Sequence, residues 1–281
     1  MNAKDVESEI PHWDLGRDVA QTVKLQIDLL LNYIVKSVKN KEERRNRYLF
    51  PLKYLLCYVE NSGLQNILKM DADQEAEFAL LLRTQMGESN VNATKFIAFC
   101  RKTLFLEAKE INWEANVWYV EKLNISPERY SLSSTIDSFS FLDIRREDNR
   151  KMLQEYLKYL LVVTNLNLGT IRIKQTYIKE FLRYLEEQEK AITTIDAISI
   201  KEYFDKLSMQ RISSQSYNNK IRAVTIFLQY LQVKDDINYF TIPVFFYKKK
   251  SYPKNCEVKN LDKKLDLLTL QLSEFPDQLR I

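Results

Sequence analysis

Between residues 144 and 232 apolar side chains return every three or four positions in four successive stretches: 144–163, 170–188, 198–208 and 214–232. That spacing gathers them on one face of an α-helix and scatters them over both faces of a strand. The stretches are separated only by "TNLNLG", "KAITTID" and "MQRISS", and connections this short favour helices packed as one bundle. The same period runs through the earlier chain. One pattern covers 18–47, with Val23, Ile27, Leu30, Leu31 and Ile34 on one face. A second follows Pro51 and stops at Asn61-Ser62-Gly63, and two more cover about 73–86 and 93–109. Four glycines and six prolines in 281 residues leave few of the turn residues that hairpins need. The chain is predicted to be all-α.

Two helical domains are expected. Trp113 and Trp118 read as packing anchors between helical units, because large rings more often fill cores than bind ligands. The segment 131–142, "SLSSTIDSFSFL", is polar and β-branched and reads as the boundary. Residues 1–136 then form an N-terminal helical domain and 137–242 a second bundle of four to five helices. Residues 243–281 form a connector and one further helix, about 259–273. Pro243 and Pro253 disfavour helix in the connector. The chain stops one residue after Arg280, which reads as a polypeptide cut short.

Little in the sequence supports catalysis. His12 is the single histidine, which argues against histidine acid–base chemistry and Cys/His zinc sites. No glycine-rich phosphate loop is present. Asp71/Asp73 and Asp235/Asp236 lie where helix starts and turns use carboxylates. Cys57 and Cys100 sit in apolar helical stretches and read as buried thiols, and with Cys256 they make an odd count that does not favour a disulfide framework. No catalytic residue, metal, cofactor or small-molecule ligand is expected. The acidic N-terminus has no secretory h-region, and "IDLLLNYIV" is too short to span a bilayer. A cytoplasmic protein without a membrane partner is expected.

Charge is unevenly placed. Residues 1–139 carry 18 basic and 20 acidic side chains, whereas 140–255 carry 20 and 13. The charge run "KNKEERRNR" at 39–47 reads as a solvated helix end, so any polyanion surface is expected in the later segment. On the 214–232 helix Tyr217, Ile221, Val224, Phe227, Leu228 and Leu231 share one face. Gln215, Asn218, Asn219 and Arg222 lie opposite, continued by Thr225 and Gln229, with Ser213 or Ser214 as N-cap. Asn and Gln amides pair with adenine edges, Arg pairs with guanine or phosphate, and helix N-termini favour phosphates. On the 170–188 helix Arg172, Lys179 and Arg183 share an outer face flanked by Thr176, with Gln175 at its edge. Both stripes equally read as ordinary solvent faces, or as surfaces of a protein-interaction module that binds no nucleic acid.

These residues also carry a resemblance. "LNLGTIRIKQTYIKEFLRYLEEQ", "ITTIDAISIKEYFDKLSMQRISSQSYNNKIRAVTIFLQYL" and "NYFTIPVFFYKKKSYPK" resemble the core-binding domain of tyrosine recombinases, the lambda-integrase family. The matching features are the polar turn opening a helix at Thr170, the "FLRYL" end of that helix, the short 198–208 helix, the Ser-rich entry to 214–231 and the proline-and-lysine connector. The preceding "IDSFSFLDIRREDNRKMLQEYLKYLLVVTNLNLGTI" and the tryptophan region resemble the N-terminal half of transposon-encoded integrases of the transposase B kind. The resemblance implies a SAM-like core-binding bundle that clamps one side of a double-stranded DNA recombination site, and self-association on paired sites. It implies that Arg172, Lys174, Gln175 and Lys179, and Ser214, Ser216, Asn218, Asn219 and Arg222, lie nearest DNA. Lys248, Lys249 and Lys250 would fall in a linker that tracks the phosphate backbone. The family's Arg, His-x-x-Arg and Tyr catalytic set has no counterpart in this sequence, so the resemblance implies a DNA-binding portion without its own strand-exchange chemistry.

Overall fold

The computed structural model describes residues 19–87, 93–130, 135–235 and Lys249. They form eight principal helices and one small sheet. In chain order the elements are α1 (Gln21–Ser37), α2 (Phe50–Ser62), α3 (Ala72–Met86), α4 (Ala93–Glu107), β1 (Val117–Tyr119), β2 (Ser138–Ser140), α5 (Glu147–Val162), α6 (Leu168–Glu187), α7 (Ala197–Ser208) and α8 (Ser214–Asp235). The fold is mostly helical, as the periodicity predicts. None of the described helices is long and apolar enough to cross a membrane.

The first expected helix, 18–47, is broken. Helix α1 ends at Ser37 and Val38 is extended, with φ −98° and ψ 101°. Asn40 then caps a new start, its side chain accepting from the Glu43 N–H. Residues Lys41–Glu43 lead into a π-helical turn, Arg44–Leu49, and then into α2. The Arg44 guanidinium reaches back to the Val35 and Val38 carbonyls, both at 3.4 Å, and so part of the basic run closes the end of α1. The break falls at the start of the charge run 39–47, which holds no apolar residue and so no period by which to place a helix end. Helix α2 stops at Gly63, whose φ of 65° is left-handed and favours glycine. Helix α3 starts with a capping box: Asp71 accepts from the Gln74 N–H and the Gln74 side chain accepts from the Asp71 N–H.

Helices α1 to α4 pack around Val23, Ile27, Leu30 and Ile34 from α1 and Phe96, Ile97, Cys100 and Leu104 from α4. Burial pushes the Cys100 thiol far above its usual range, so it is inert. Cys57 is only half-buried, less than its apolar surroundings suggest, because α2 turns that side away from the core.

The sheet is a departure from the all-α expectation. Strands β1 and β2 are antiparallel, with Trp118 opposite Phe139. Trp118, Phe139 and Phe141 are fully buried. The Trp118 ring stands edge-on to Trp113 at 4.9 Å and to Phe141 at 4.7 Å. The stretch read as a polar boundary therefore contributes a strand and two core rings, since Phe139 and Phe141 alternate inward while Ser138 and Ser140 do not. Its residues 131–134 lie outside the described part.

Helices α5 to α8 form the second bundle, with α8 lying against α6, α5 and α7. Its core holds Leu153, Tyr156 and Leu157 of α5, Ile171, Ile178, Phe181, Leu182 and Leu185 of α6, Tyr203, Phe204 and Leu207 of α7, and the six predicted residues of α8. Glu186, near the end of α6, accepts from the Arg145 and Arg146 N–H groups at 3.0 and 2.9 Å and from Asn149, and so closes the start of α5. Arg129 closes the other end. Its guanidinium donates to the carbonyls of Leu166, Leu161 and Leu160 at 2.8, 2.7 and 3.1 Å. Arg129→Ala is expected to cost about 2–3 kcal/mol, because the three carbonyls lose charge-assisted bonds and only that of Leu160 keeps a side-chain donor, the Thr164 hydroxyl. Thermal melting would register it, whereas a loss below about 0.5 kcal/mol would show that water replaces the guanidinium.

Candidate nucleic-acid interface

Helix α8 begins as its polar entry predicts. Ser213 is the N-cap, its hydroxyl oxygen accepting from the Ser216 N–H at 3.1 Å. Gln215, Asn219 and Arg222 are exposed, and Ser214, Ser216 and Asn218 are half-buried. The Gln215 amide donates to the Asn219 amide oxygen at 3.1 Å, one helical turn away. Together with Arg222 they make an outward amide and guanidinium surface on the first two turns. The buried face opposite, from Tyr217 to Leu231, sets this orientation.

The expected residues of α6 divide into two sets. Residues two apart on a helix point roughly 160° apart, so Lys174 cannot share a side with Arg172. Arg172, Lys179 and Arg183 turn toward β2 and the segment after it. Arg172 donates to the Ser138 carbonyl at 3.1 Å and stacks over the Phe139 ring at 5.9 Å. Lys179 pairs with Asp143. Burial holds the Lys179 ammonium below the usual lysine range in spite of Asp143, and Arg172 and Arg183 add to the lowering. Arg183 and Thr170 are exposed. The exposed Thr176 donates its hydroxyl back to the Arg172 carbonyl at 3.0 Å.

Gln175 departs from the expectation. It is 1% exposed, its amide donates to the Ser140 carbonyl at 2.9 Å, and its oxygen accepts from Arg172 at 3.2 Å. An amide committed to the β2 backbone inside the core is a structural tie. It cannot reach a base edge while the fold is closed. Its spacing carried the signal: Ile171, Gln175 and Ile178 follow one another at i, i+4 and i+7, the core periodicity itself.

Lys174 belongs with α8. Its ammonium is held below the usual range by partial burial and then by the nearby Arg222 guanidinium. Among the described residues neither cation has a carboxylate partner. Farther along, Lys220 of α8 is paired with Glu180 of α6 at 2.7 Å, so one side of the α6–α8 contact is neutralised and the other is left positive. Two adjacent like charges cost energy in the free protein and are offset by an anion.

Lys249 lies against α8, bonded through its backbone to Asn218. Lys248 and Lys250 lie outside the described residues, as do His12, Cys256, Arg280 and the expected 259–273 helix. Among the described residues no group of three or more His, Cys, Asp or Glu could hold a metal ion.

Residues 153–234, which span most of α5 to the end of α8, match the family described as the phage integrase N-terminal SAM-like domain. A tyrosine recombinase from Pseudothermotoga lettingae is 32% identical over 91 residues, which cover 31% of this chain and 32% of that protein. The chain thus matches about a third of the length of this curated relative. No solved structure gives a significant match. The four helices that hold Lys174, Arg222 and the capped entry of α8 thus carry the likeness to the core-binding, SAM-like region of the tyrosine recombinase family.

Proposed function

We propose that this chain is the DNA-binding portion of a tyrosine-type site-specific recombinase, gripping duplex DNA without carrying out strand exchange itself. The observation that supports this best is the approach of Lys174 and Arg222 across α6 and α8, with no carboxylate partner for either among the described residues. A phosphate beside them would relieve their repulsion, and the α8 N-terminus, capped by Ser213, would add its partial positive charge. Gln215, Asn219 and Arg222 then face the groove. Thr170 flanks them, and Arg172 and Arg183 form a second positive edge toward β2. The gripping unit is residues 137–242 together with β1 from the preceding domain, and two copies would meet on paired sites.

Duplex binding measured by fluorescence anisotropy tests this. Non-specific affinity is expected to be micromolar or weaker at physiological salt. The double variant Lys174→Ala/Arg222→Ala should lower affinity about tenfold at about 100 mM salt, and flatten the dependence of log K on log salt by about two contacts. Unchanged binding and slope would rule out this surface. A protein-interaction module is the second reading, favoured by exposed Ile173 and Met209 beside the same helices. It predicts no duplex retention at that salt and no effect of the double variant.

A further inference from the structure

We propose that Asn218 is a positioning residue that latches the chain at Lys249 onto the corner of α7 and α8, and that it does not read bases. The Asn218 amide nitrogen donates to the Lys249 carbonyl at 2.8 Å, and the Lys249 N–H donates to the Asn218 amide oxygen at 2.9 Å. A side-chain amide is thus paired with a peptide group in both directions, as neighbouring strands pair. The Lys249 side chain adds two contacts. Its ammonium donates to the Ser208 carbonyl at 3.0 Å, at the negative end of α7, and lies 4.5 Å from the centre of the Tyr217 ring. Tyr217 is 2% exposed, so the ring is fixed in the bundle. Three groups from two helices hold one residue that is 31 positions from Asn218. A long side chain on a connector loses much rotamer freedom when it is held this way, and three directed contacts offset that loss where one would not.

Two consequences follow for the molecule. Lys249 is anchored one helical turn from Arg222, so its place on the bundle is set by α8. The Asn218 amide already spends a donor and an acceptor on a peptide group, and bidentate recognition of adenine needs both. Base preference therefore falls to Gln215, Asn219 and Arg222. Only this last consequence rests on the DNA-binding reading; the latch does not.

Limited trypsin digestion of the full chain tests the latch without DNA, because Lys248, Lys249 and Lys250 are themselves cleavage sites. A protease needs the local chain released from its contacts. Asn218→Ala is expected to raise cleavage at these lysines about tenfold, with the melting temperature nearly unchanged. Asn218→Asp, which keeps the acceptor for the Lys249 N–H, should fall between. In the unaltered protein the Lys249 amide should exchange with deuterium at least about tenfold more slowly than an unprotected amide. This measurement holds the proposal to account even if the variants fold poorly. Equal cleavage of Asn218→Ala and the unaltered chain, or unprotected exchange at Lys249, overturns the latch. In duplex binding, Asn218→Ala should keep the base preference that Arg222→Ala loses; the reverse result would return Asn218 to base reading. Failure of all duplex binding would sink the DNA reading and leave the digestion result standing.

Discussion

Arg101→Ala is expected to destabilise the protein by about 3–5 kcal/mol, the usual consequence of stripping one partner from a buried ion pair. Arg101 is 3% exposed in the middle of α4, and its guanidinium donates to the Glu75 carboxylate and to the Met70 carbonyl, both at 2.8 Å. Without it the Glu75 carboxylate, itself largely buried, faces the core with no counter-charge. The Met70 carbonyl keeps only its bond from Asn116 at 3.1 Å. A chain of this size loses about 2–4 °C of melting temperature per kcal/mol, so a fall of roughly 10 °C is expected by circular dichroism. Replacing both partners together, Arg101→Met with Glu75→Leu, should recover most of the loss, because the desolvation cost of both charges disappears. A double variant as unstable as Arg101→Ala would show that the Met70 bond, and not the ion pair, is what matters.

Trp118→Ala should cost a similar 3–5 kcal/mol, by opening a cavity the size of an indole. The ring lies where α4, the β1–β2 sheet and Trp113 meet, edge-on to Phe141. Buried contacts continue from there into the second bundle: Gln154 of α5 donates to the Ala115 carbonyl at 3.0 Å, and Gln175 of α6 to the Ser140 carbonyl. Loss of the ring therefore loosens the join between the two helical groups. Urea unfolding followed by tyrosine fluorescence and by circular dichroism should separate into two transitions in the variant. Trp118→Phe should cost only about 1–2 kcal/mol, since the indole N–H has no hydrogen-bond acceptor among the described residues. A single coincident transition in Trp118→Ala would show that the β1–β2 sheet does not couple the groups.

Much of the second bundle is legible from the residues alone. Six apolar positions on α8 and five on α6 recur at helical spacing, and all are buried. Ser213 announces its cap, and Asp71 and Gly63 announce theirs, because capping is a local contest between one side chain and a few orphaned backbone groups. Resemblance to the tyrosine recombinases rests largely on α6 to α8, which the family match at residues 153–234 covers, while the 238–254 connector lies outside it. The three-residue strands are not legible, since each is stabilised by a partner about twenty positions away and has no period of its own. Nor is the break at Val38 legible, because residues 39–47 carry no apolar side chain to mark it and an asparagine cap and an arginine set it locally.

The polar residues divide the same way. Sequence by itself determined which side chains could meet an anion, because their chemistry is intrinsic, and which helix face each occupies, because 3.6 residues make a turn wherever the helix lies. Only the tertiary structure decided how they are used: Gln175 is spent on the β2 backbone, Lys179 on Asp143 and Asn218 on Lys249, while Lys174 and Arg222 are brought together with no carboxylate partner among the described residues. A hydrogen bond or a charge pair depends on distances of a few ångströms between residues tens of positions apart, and those distances exist only once the helices have packed.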